Sequence, residues 1–451
     1  MFIFEIFIGI VDLLERIIFF KIFGFPLLVL MLMFTSIFFS VYLGFPNIKL
    51  FKKSLKYINE NDNNTLLKSK QSFFTSLSSI VGMGSIAGVA TAIYVGGSGA
   101  VFWIVVLSLF SMNMSFAETL LAIKYKNVSM EDKSVECAPV YYIKHSLKDN
   151  KYVKLGAILS LSYAIMYFVG LLGSQMYQVE EFYNSLSNFK IFAENKFIVM
   201  AIFDIMILVI IYGGITGITK IFEKLLPFAC GLYVISVLII LICNITNLPN
   251  AIYTILIEAF KLKSVTGGIV GVICTGIQRG IYSSEAGLGA ATTPYVASSS
   301  GNPIKRASVG ALNPLFVSMM CLLTGLIIVS SGAYVDGLEN GVVLVNKSFL
   351  SVASWFPYIL NVVIFLLSTS VCISSAFNAQ NLYNYCFGKR TTFVFMVLQF
   401  VAIISTVYLD LNKVISIGDT LYLSIAIPNI LCLFLVRKTI KDTYLENVGG
   451  L

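Results

Sequence analysis

Thr275-Gly276-Ile277-Gln278-Arg279-Gly280-Ile281-Tyr282-Ser283-Ser284-Glu285-Ala286-Gly287-Leu288-Gly289 is the stretch on which the reading of this 451-residue chain turns. Its flanks, roughly 264–300, are apolar enough for a membrane helix, yet its middle carries four glycines, two serines, an arginine and a carboxylate. Lipid-facing backbone cannot be left without hydrogen bonds, so such an interruption is tolerated only against protein or a water-filled cavity. Ionisable groups at that depth are expensive and point to function.

Composition places a bilayer around this stretch. Hydrophobic residues make up 57% of the chain and charged residues 12%, with a mean hydropathy of +0.87; soluble domains carry about 25% charged residues. An integral membrane protein is expected, with the lipid bilayer as its partner. The net charge of +8 would suggest nucleic acid in a soluble protein, but here its distribution matters more, and no nucleic acid or obligate protein partner is indicated. The eight cysteines are scattered singly and the one histidine is His145, so neither a disulfide framework nor a transition-metal site is expected. Residues 1–23 carry Glu5, Asp12 and Glu15 among apolar residues and read as an amphipathic lead-in helix, not a removed signal peptide.

A membrane span needs about 20 mostly apolar residues. Eleven stretches qualify: 24–46, 72–97, 98–123, 153–177, 197–215, 227–246, 264–300, 307–332, 351–380, 391–410 and 415–436. Two amphipathic pieces, around 137–148 and 249–260, are expected along the membrane surface. With the N-terminus outside, the inner segments hold 22 Lys+Arg and the outer ones 8. That bias fits the positive-inside rule and puts the C-terminus in the cytoplasm.

The second span, 72–97, contains Ser78-Ser79-Ile80-Val81-Gly82-Met83-Gly84-Ser85-Ile86-Ala87-Gly88, an interruption of the same small and polar kind. It lies five spans before the other, and an odd number of spans per set forces the two sets into opposite orientations. Matched interruptions in two inverted halves point to a transporter's binding site. The chain accordingly divides into a lead-in, extra helix and inner loop (1–71), a first five-helix repeat (72–246), an inverted second one (264–437) and a cytoplasmic tail (438–451). The bland alternative is close packing of helices through Gly84-xxx-Gly88 and Gly276-xxx-Gly280.

An unwound membrane helix presents N–H groups at one half-helix start and C=O groups at the other half's end; the first attract a carboxylate, the second a cation. Glycines at 82, 84, 276, 280 and 287 let main chain approach a ligand. The hydroxyls of Ser78, Ser79, Ser85, Ser283 and Ser284 are hard oxygen ligands for Na⁺ or an ammonium group. Such a neutral set suits an amino acid zwitterion. Arg279 and Glu285 either form a structural ion pair across the unwound turn or reach a hydrated vestibule. Glu118, near the inner end of the third span, is expected to partner a basic loop, and Asp204, about two turns from an outer end, to reach water.

The segment Val81–Ile93, followed by Gly96-Gly97-Ser98-Gly99-Ala100-Val101-Phe102-Trp103, resembles the signature of the alanine or glycine:cation symporter family. Phe116-Ala117-Glu118 with Lys124-Tyr125, Pro139-Val140-Tyr141-Tyr142-Ile143, and Arg279 to Gly289 resemble three further motifs of that family. The resemblance covers about residues 24–437. It implies an all-α, LeuT-like fold in which the 5+5 inverted repeat follows one extra helix. It also implies Na⁺-coupled, sometimes H⁺-coupled, uptake of small neutral amino acids across a prokaryotic cytoplasmic membrane, with no cofactor beyond the coupling ion.

Departures from the family pattern bear on the substrate. Its usual Thr-Val-Gly-Thr-Gly-Asn stands here as Ile80 to Ser85, its Ser-Asn-Glu-Ala-Gly has Ser284 for Asn, and its Gly-Trp-Ser-Tyr-Tyr-Gly appears as Ser374 to Ala379. Ser375 thus replaces a large aromatic pocket wall, while Met83 fills part of the space, so a substrate somewhat larger than alanine is expected. Candidate substrate contacts are Ser79, Gly82, Met83, Gly84, Ser85, Gly276, Gln278, Gly280, Ser283, Ser284 and Ser375. By likeness to LeuT-like folds, Thr369, Ser370 and Ser374 would complete a Na⁺ site with backbone around Ile80 and Met83; the alternative is that these hydroxyls bond only to their own helices. A passive channel would need a continuous polar pore. An enzyme would need a dyad or metal set that the spans lack, and a sensor would need a signalling domain.

Overall fold

The computed structural model describes residues 2–60, 65, 67–126, 138–186, 189, 192, 194–212, 218–261, 268–299, 301–337, 339–388 and 392–449. The expected start of the seventh span at 264, and the inner loop 389–390, lie outside them. A lead-in helix α1 (Phe2–Ile18) and a two-stranded hairpin of β1 (Lys21–Ile22) and β2 (Phe25–Pro26) precede the rest, which is helical.

Every one of the eleven expected stretches contains helix. In chain order these are α2 (Leu27–Tyr42), the pair α3 (Ser69–Ile80) and α4 (Met83–Gly96), and α5 (Ala100–Lys124). The amphipathic α6 (Ala138–Asp149) precedes α7 (Val153–Ser185), α8 (Lys196–Tyr212) and α9 (Ile218–Cys243). The second half runs through the amphipathic α10 (Leu248–Glu258), α11 (Gly268–Ser284), α12 (Thr293–Ala297), α13 (Pro303–Gly310) and α14 (Leu312–Ser330). It ends with α15 (Gly341–Leu350), α16 (Pro357–Phe387), α17 (Thr392–Ser405), α18 (Leu411–Leu423), α19 (Ala426–Leu435) and α20 (Arg437–Val448). Among the described residues six spans are long and apolar enough to cross a bilayer, and α3 with α4, bent by 41° at their junction, makes a seventh if the pair is taken as one span.

The molecule is apolar on its outer surface as well as in its core. Apolar side chains at helical spacing face outward, as Ile202, Ile205 and Val209 do on α8, and Val394, Val397 and Val401 on α17. Polar groups are buried within that largely apolar interior, including Gln175, Gln178, Glu180 and Glu181 on α7. That helix packs against α16, α18 and α6. Its 33 residues correspond to about 50 Å. The outer loop expected from residue 178 is therefore still helix, and Gln178 is buried within the molecule.

Asp204 does not reach water. It is fully buried and accepts a hydrogen bond from Gln399 Nε2 at 3.1 Å, which ties α8 to α17. A carboxylate beneath a lipid-facing surface is held more cheaply by a neighbouring amide than by a side chain stretched through hydrocarbon. Asp204→Asn, which keeps an amide partner for Gln399, is expected to leave the apparent melting temperature nearly unchanged. Asp204→Leu is expected to cost about 1–3 kcal/mol by orphaning Gln399, readable as a thermal shift in detergent.

Candidate substrate site

The first interruption unwinds as the glycines suggest. Helix α3 stops at Ile80, Val81 is extended, and α4 begins at Met83 after Gly82, whose φ is −141° and ψ −149°. The positive end of α4 and the negative end of α3 therefore converge on one point. Gln178 Oε1 accepts from the Met83 N–H at 3.0 Å, which caps α4 from across the molecule. Position 82 itself admits no side chain: a Cβ on Gly82 would lie 2.8 Å from Val371 Cγ2 and 3.0 Å from the Gln178 amide.

The second interruption lies later than expected. Helix α11 continues unbroken through Gly276 and Gly280 to Ser284, and the chain leaves helical geometry over Glu285–Gly289. Left-handed backbone at Glu285 (φ 55°), Gly287 (φ 91°) and Gly289 (φ 73°) makes this turn. Gly276 and Gly280 serve instead as a flat face: a Cβ on Gly276 would meet Ala100 O and Trp103 Cβ at 2.7 Å, and one on Gly280 Ile104 Cα at 3.4 Å. Close packing of α11 on α5 accounts for this pair.

The two interruptions meet. A Cβ on Gly84 would lie 3.1 Å from Ser283 Oγ and 3.2 Å from Ser283 Cα, so main chain abuts main chain. Ser76 Oγ donates to Ala291 O at 3.0 Å. Moving forward along the first interruption thus means moving backward along the second, the antiparallel relation that inverted halves require. Met83 and Ser85 are fully buried at this junction.

Most hydroxyls bond back to their own helices: Ser79 to Ser76 O, Ser78 to Thr75 O, Ser85 to Gly82 O and Ser283 to Arg279 O. Ser370 is the exception, donating to Ser78 O at 3.3 Å and bringing α16 against the carbonyl end of α3. Thr369 Oγ1, Ser284 Oγ and the Gln175 amide are buried without a hydrogen-bond partner among the described residues. Ser374 and Ser375 lie on α16 and make no hydrogen bond to either interruption among the described residues. Neutral oxygens next to a helix C-terminus fit a hard monovalent cation such as Na⁺.

Arg279 and Glu285 do not pair. Six residues apart, across the end of a helix, they face different ways. Arg279 bonds to Asp419 and Glu285 accepts from the Tyr422 hydroxyl; both partners stand on one face of α18. Gln278 Nε2 also donates to Asp419, at 2.7 Å. Glu118 is likewise not a partner for a basic loop. It is buried and accepts from Asn429 Nδ2 at 2.6 Å, and its carboxylate faces the backbone of Gly287 and Gly289. Asn429 Nδ2 donates to Gly287 O, Tyr163 to Leu288 O and Tyr142 to Asn429. This polar cage holds the unwound turn that an unaided helix would not form.

The residues missed from sequence are Gln178, Asp419, Tyr422 and Asn429. For Gln178 a signal existed, since Gln175, Gln178 and Glu181 recur at three-residue spacing and lie on one helical face.

A family model described as the sodium:alanine symporter family matches residues 10–446. Sodium/alanine symporter AgcS of Methanococcus maripaludis is 29% identical over 426 residues, covering 92% of each chain. Amino-acid carrier protein AlsT of Bacillus subtilis is 30% identical over 359 residues, covering 78% of this chain and 72% of that one. The crystal structure of MhsT in complex with L-phenylalanine superposes with a TM-score of 0.54 at 12% identity, over 86% of this chain and 99% of that one, a likeness of LeuT-like fold.

Proposed function

The chain belongs to the sodium:alanine symporter family, and on that premise we propose that it is a secondary active symporter carrying a small neutral amino acid with Na⁺. The observation that carries this reading is the contact of Gly84 with Ser283, where two interrupted helices bring bare main chain and opposite dipole ends together. The amino acid lies there, its carboxylate toward the start of α4 beside Gln178 and its ammonium toward the hydroxyl and carbonyl groups around Ser284. Na⁺ lies between the end of α3 and α16, where Thr369 has a free hydroxyl and Ser370 already reaches Ser78 O. Binding of both stabilises one arrangement, and rocking of the helices around the site carries them across.

The chain crosses a prokaryotic cytoplasmic membrane eleven times, N-terminus outside and C-terminus inside, with inverted repeats over 72–246 and 264–437. The charge asymmetry and the antiparallel crossing of the interruptions support this. The substrate is somewhat larger than alanine, of serine, threonine or small branched size, because small Ser375 stands where the family pattern has tryptophan.

A thermal-shift screen of the amino acids with and without Na⁺ tests the reading. A ligand at about 100 times its Kd stabilises by about 2.7 kcal/mol. Stabilisation by serine, threonine or valine only when Na⁺ is present is the expected result. Stabilisation that follows pH and ignores Na⁺ would replace Na⁺ by H⁺, and exclusive binding of glycine and alanine would sink the size assignment.

A further inference from the structure

A cavity of about 230 Å³ opens where the start of α10 meets the end of α14, and it shares no lining residue with either interruption. Asn247, Asn250 and Thr254 line it from the α10 side, Ser330, Ser331 and Tyr334 from the other, so its polar wall consists of amides and hydroxyls. Among the described residues none of those lining it is charged. Positions 247, 250 and 254 recur at helical spacing and so present one side of α10 to it. Ser330 is 3% exposed, and its Oγ has no hydrogen-bond partner among the described residues. A buried hydroxyl is seldom left so unless something else answers it. The side chains of Asn250 and Thr254 likewise make no hydrogen bond among the described residues.

We propose that this cavity binds an uncharged polyhydroxylated group, the glycosyl head of a neutral lipid or a free sugar. Amides and hydroxyls both donate and accept, as sugar hydroxyls do, so each can answer the other whichever way the ring turns. A charged solute would enter without a counter-charge, which selects against it. Glu258, one turn beyond Thr254 and near enough to act on the Tyr334 phenol, is fixed by the Ser98 hydroxyl, which donates to it at 2.6 Å, and it repels a phosphate. An ammonium group fares no better, because the carbonyl of Ser330 at the end of α14 already accepts from Asn247 Nδ2 at 3.3 Å. The volume falls below the roughly 300–1,000 Å³ of drug-sized sites, which limits the occupant to about one sugar ring. The lipid source has a further support. Ile252, Tyr253, Leu256 and Ile257 form an exposed apolar stripe along α10 beside the cavity, where an amphipathic helix lies at the membrane surface and acyl chains would run.

Native mass spectrometry of the full-length purified chain, in a polyoxyethylene detergent that carries no sugar, tests this with three probes. They are monoglucosyl diacylglycerol, phosphatidylglycerol with the same acyl chains, and methyl glucoside. The chain is expected to retain one glucosyl lipid in preference to phosphatidylglycerol. The Asn250→Leu, Thr254→Val double variant should hold that lipid about 30-fold more weakly, as the loss of two hydrogen bonds implies. Asn250 is exposed and Thr254 half-buried, so the variant should melt like the unaltered chain when no lipid is added, which checks the fold. Methyl glucoside retained with the same dependence on these two residues would extend the site to free sugars. Glucosyl lipid retained without methyl glucoside would assign it to the lipid head; either result supports the proposal. Retention indifferent to the double variant overturns it. So does phosphatidylglycerol held through these residues as tightly as the glucosyl lipid, or failure to retain either glucosyl probe.

Discussion

Arg279→Ala is expected to destabilise the protein by about 3–5 kcal/mol, the largest loss of any single substitution near the site. Asp419 is buried and also receives Gln278. Removing the guanidinium leaves a carboxylate in a low-dielectric interior with one neutral donor, and that unpaired charge, more than the lost attraction, sets the magnitude. Replacing both members by apolar residues of similar size (Arg279→Met with Asp419→Leu) should therefore recover most of the apparent melting temperature. If the double variant melts as low as the single one, the pair contributes geometry that hydrophobic packing cannot replace. If Arg279→Ala melts like the unaltered chain, the ion pair is not what joins α11 to α18. Glu285→Gln is a useful contrast. It keeps an acceptor for Tyr422, and should cost less than Arg279→Ala in the same measurement.

Gly84→Val is expected to reduce Na⁺-driven uptake in proteoliposomes about 100-fold, equivalent to about 2.7 kcal/mol. The Cβ alone would stand 3.1 Å from Ser283 Oγ and 3.2 Å from Ser283 Cα, tight but open to small adjustment. Gly84→Ala should accordingly lose only part of the activity. Two further methyl groups have no such latitude, because one of the contacting atoms is main chain. Overpacking of this kind costs about 1–3 kcal/mol and drives apart the two segments that hold the ligand. Combining Gly84→Ala with Ser283→Ala removes the Oγ contact and should restore part of the lost uptake. Gly84→Val with unimpaired uptake would mean that the substrate is held elsewhere.

The legible part of this molecule was what depends on near neighbours in the chain. Hydropathy marked eleven helical stretches, since crossing a bilayer needs a long apolar run whatever surrounds it. Glycines and serines marked both interruptions, though the second was placed too early. Gly276 and Gly280 use the same missing Cβ for helix packing that Gly287 and Gly289 use for left-handed backbone, and composition does not separate the two uses.

What only the tertiary structure decided was pairing. Arg279 looks in sequence toward Glu285, yet its partner Asp419 comes from a helix far along the chain, and Glu285 is taken by Tyr422 of that same helix. Glu118 read as the partner of a basic loop and Asp204 as a group bound for water; each is buried against an amide, Asn429 and Gln399. Gln178 read as loop and caps α4 from across the molecule. Sequence determined which segments are apolar helix and that two of them are interrupted, because the solvent sets those costs locally. Which buried polar group answers which was decided by packing, because in hydrocarbon every such group needs a partner and the chain itself does not say which one will arrive.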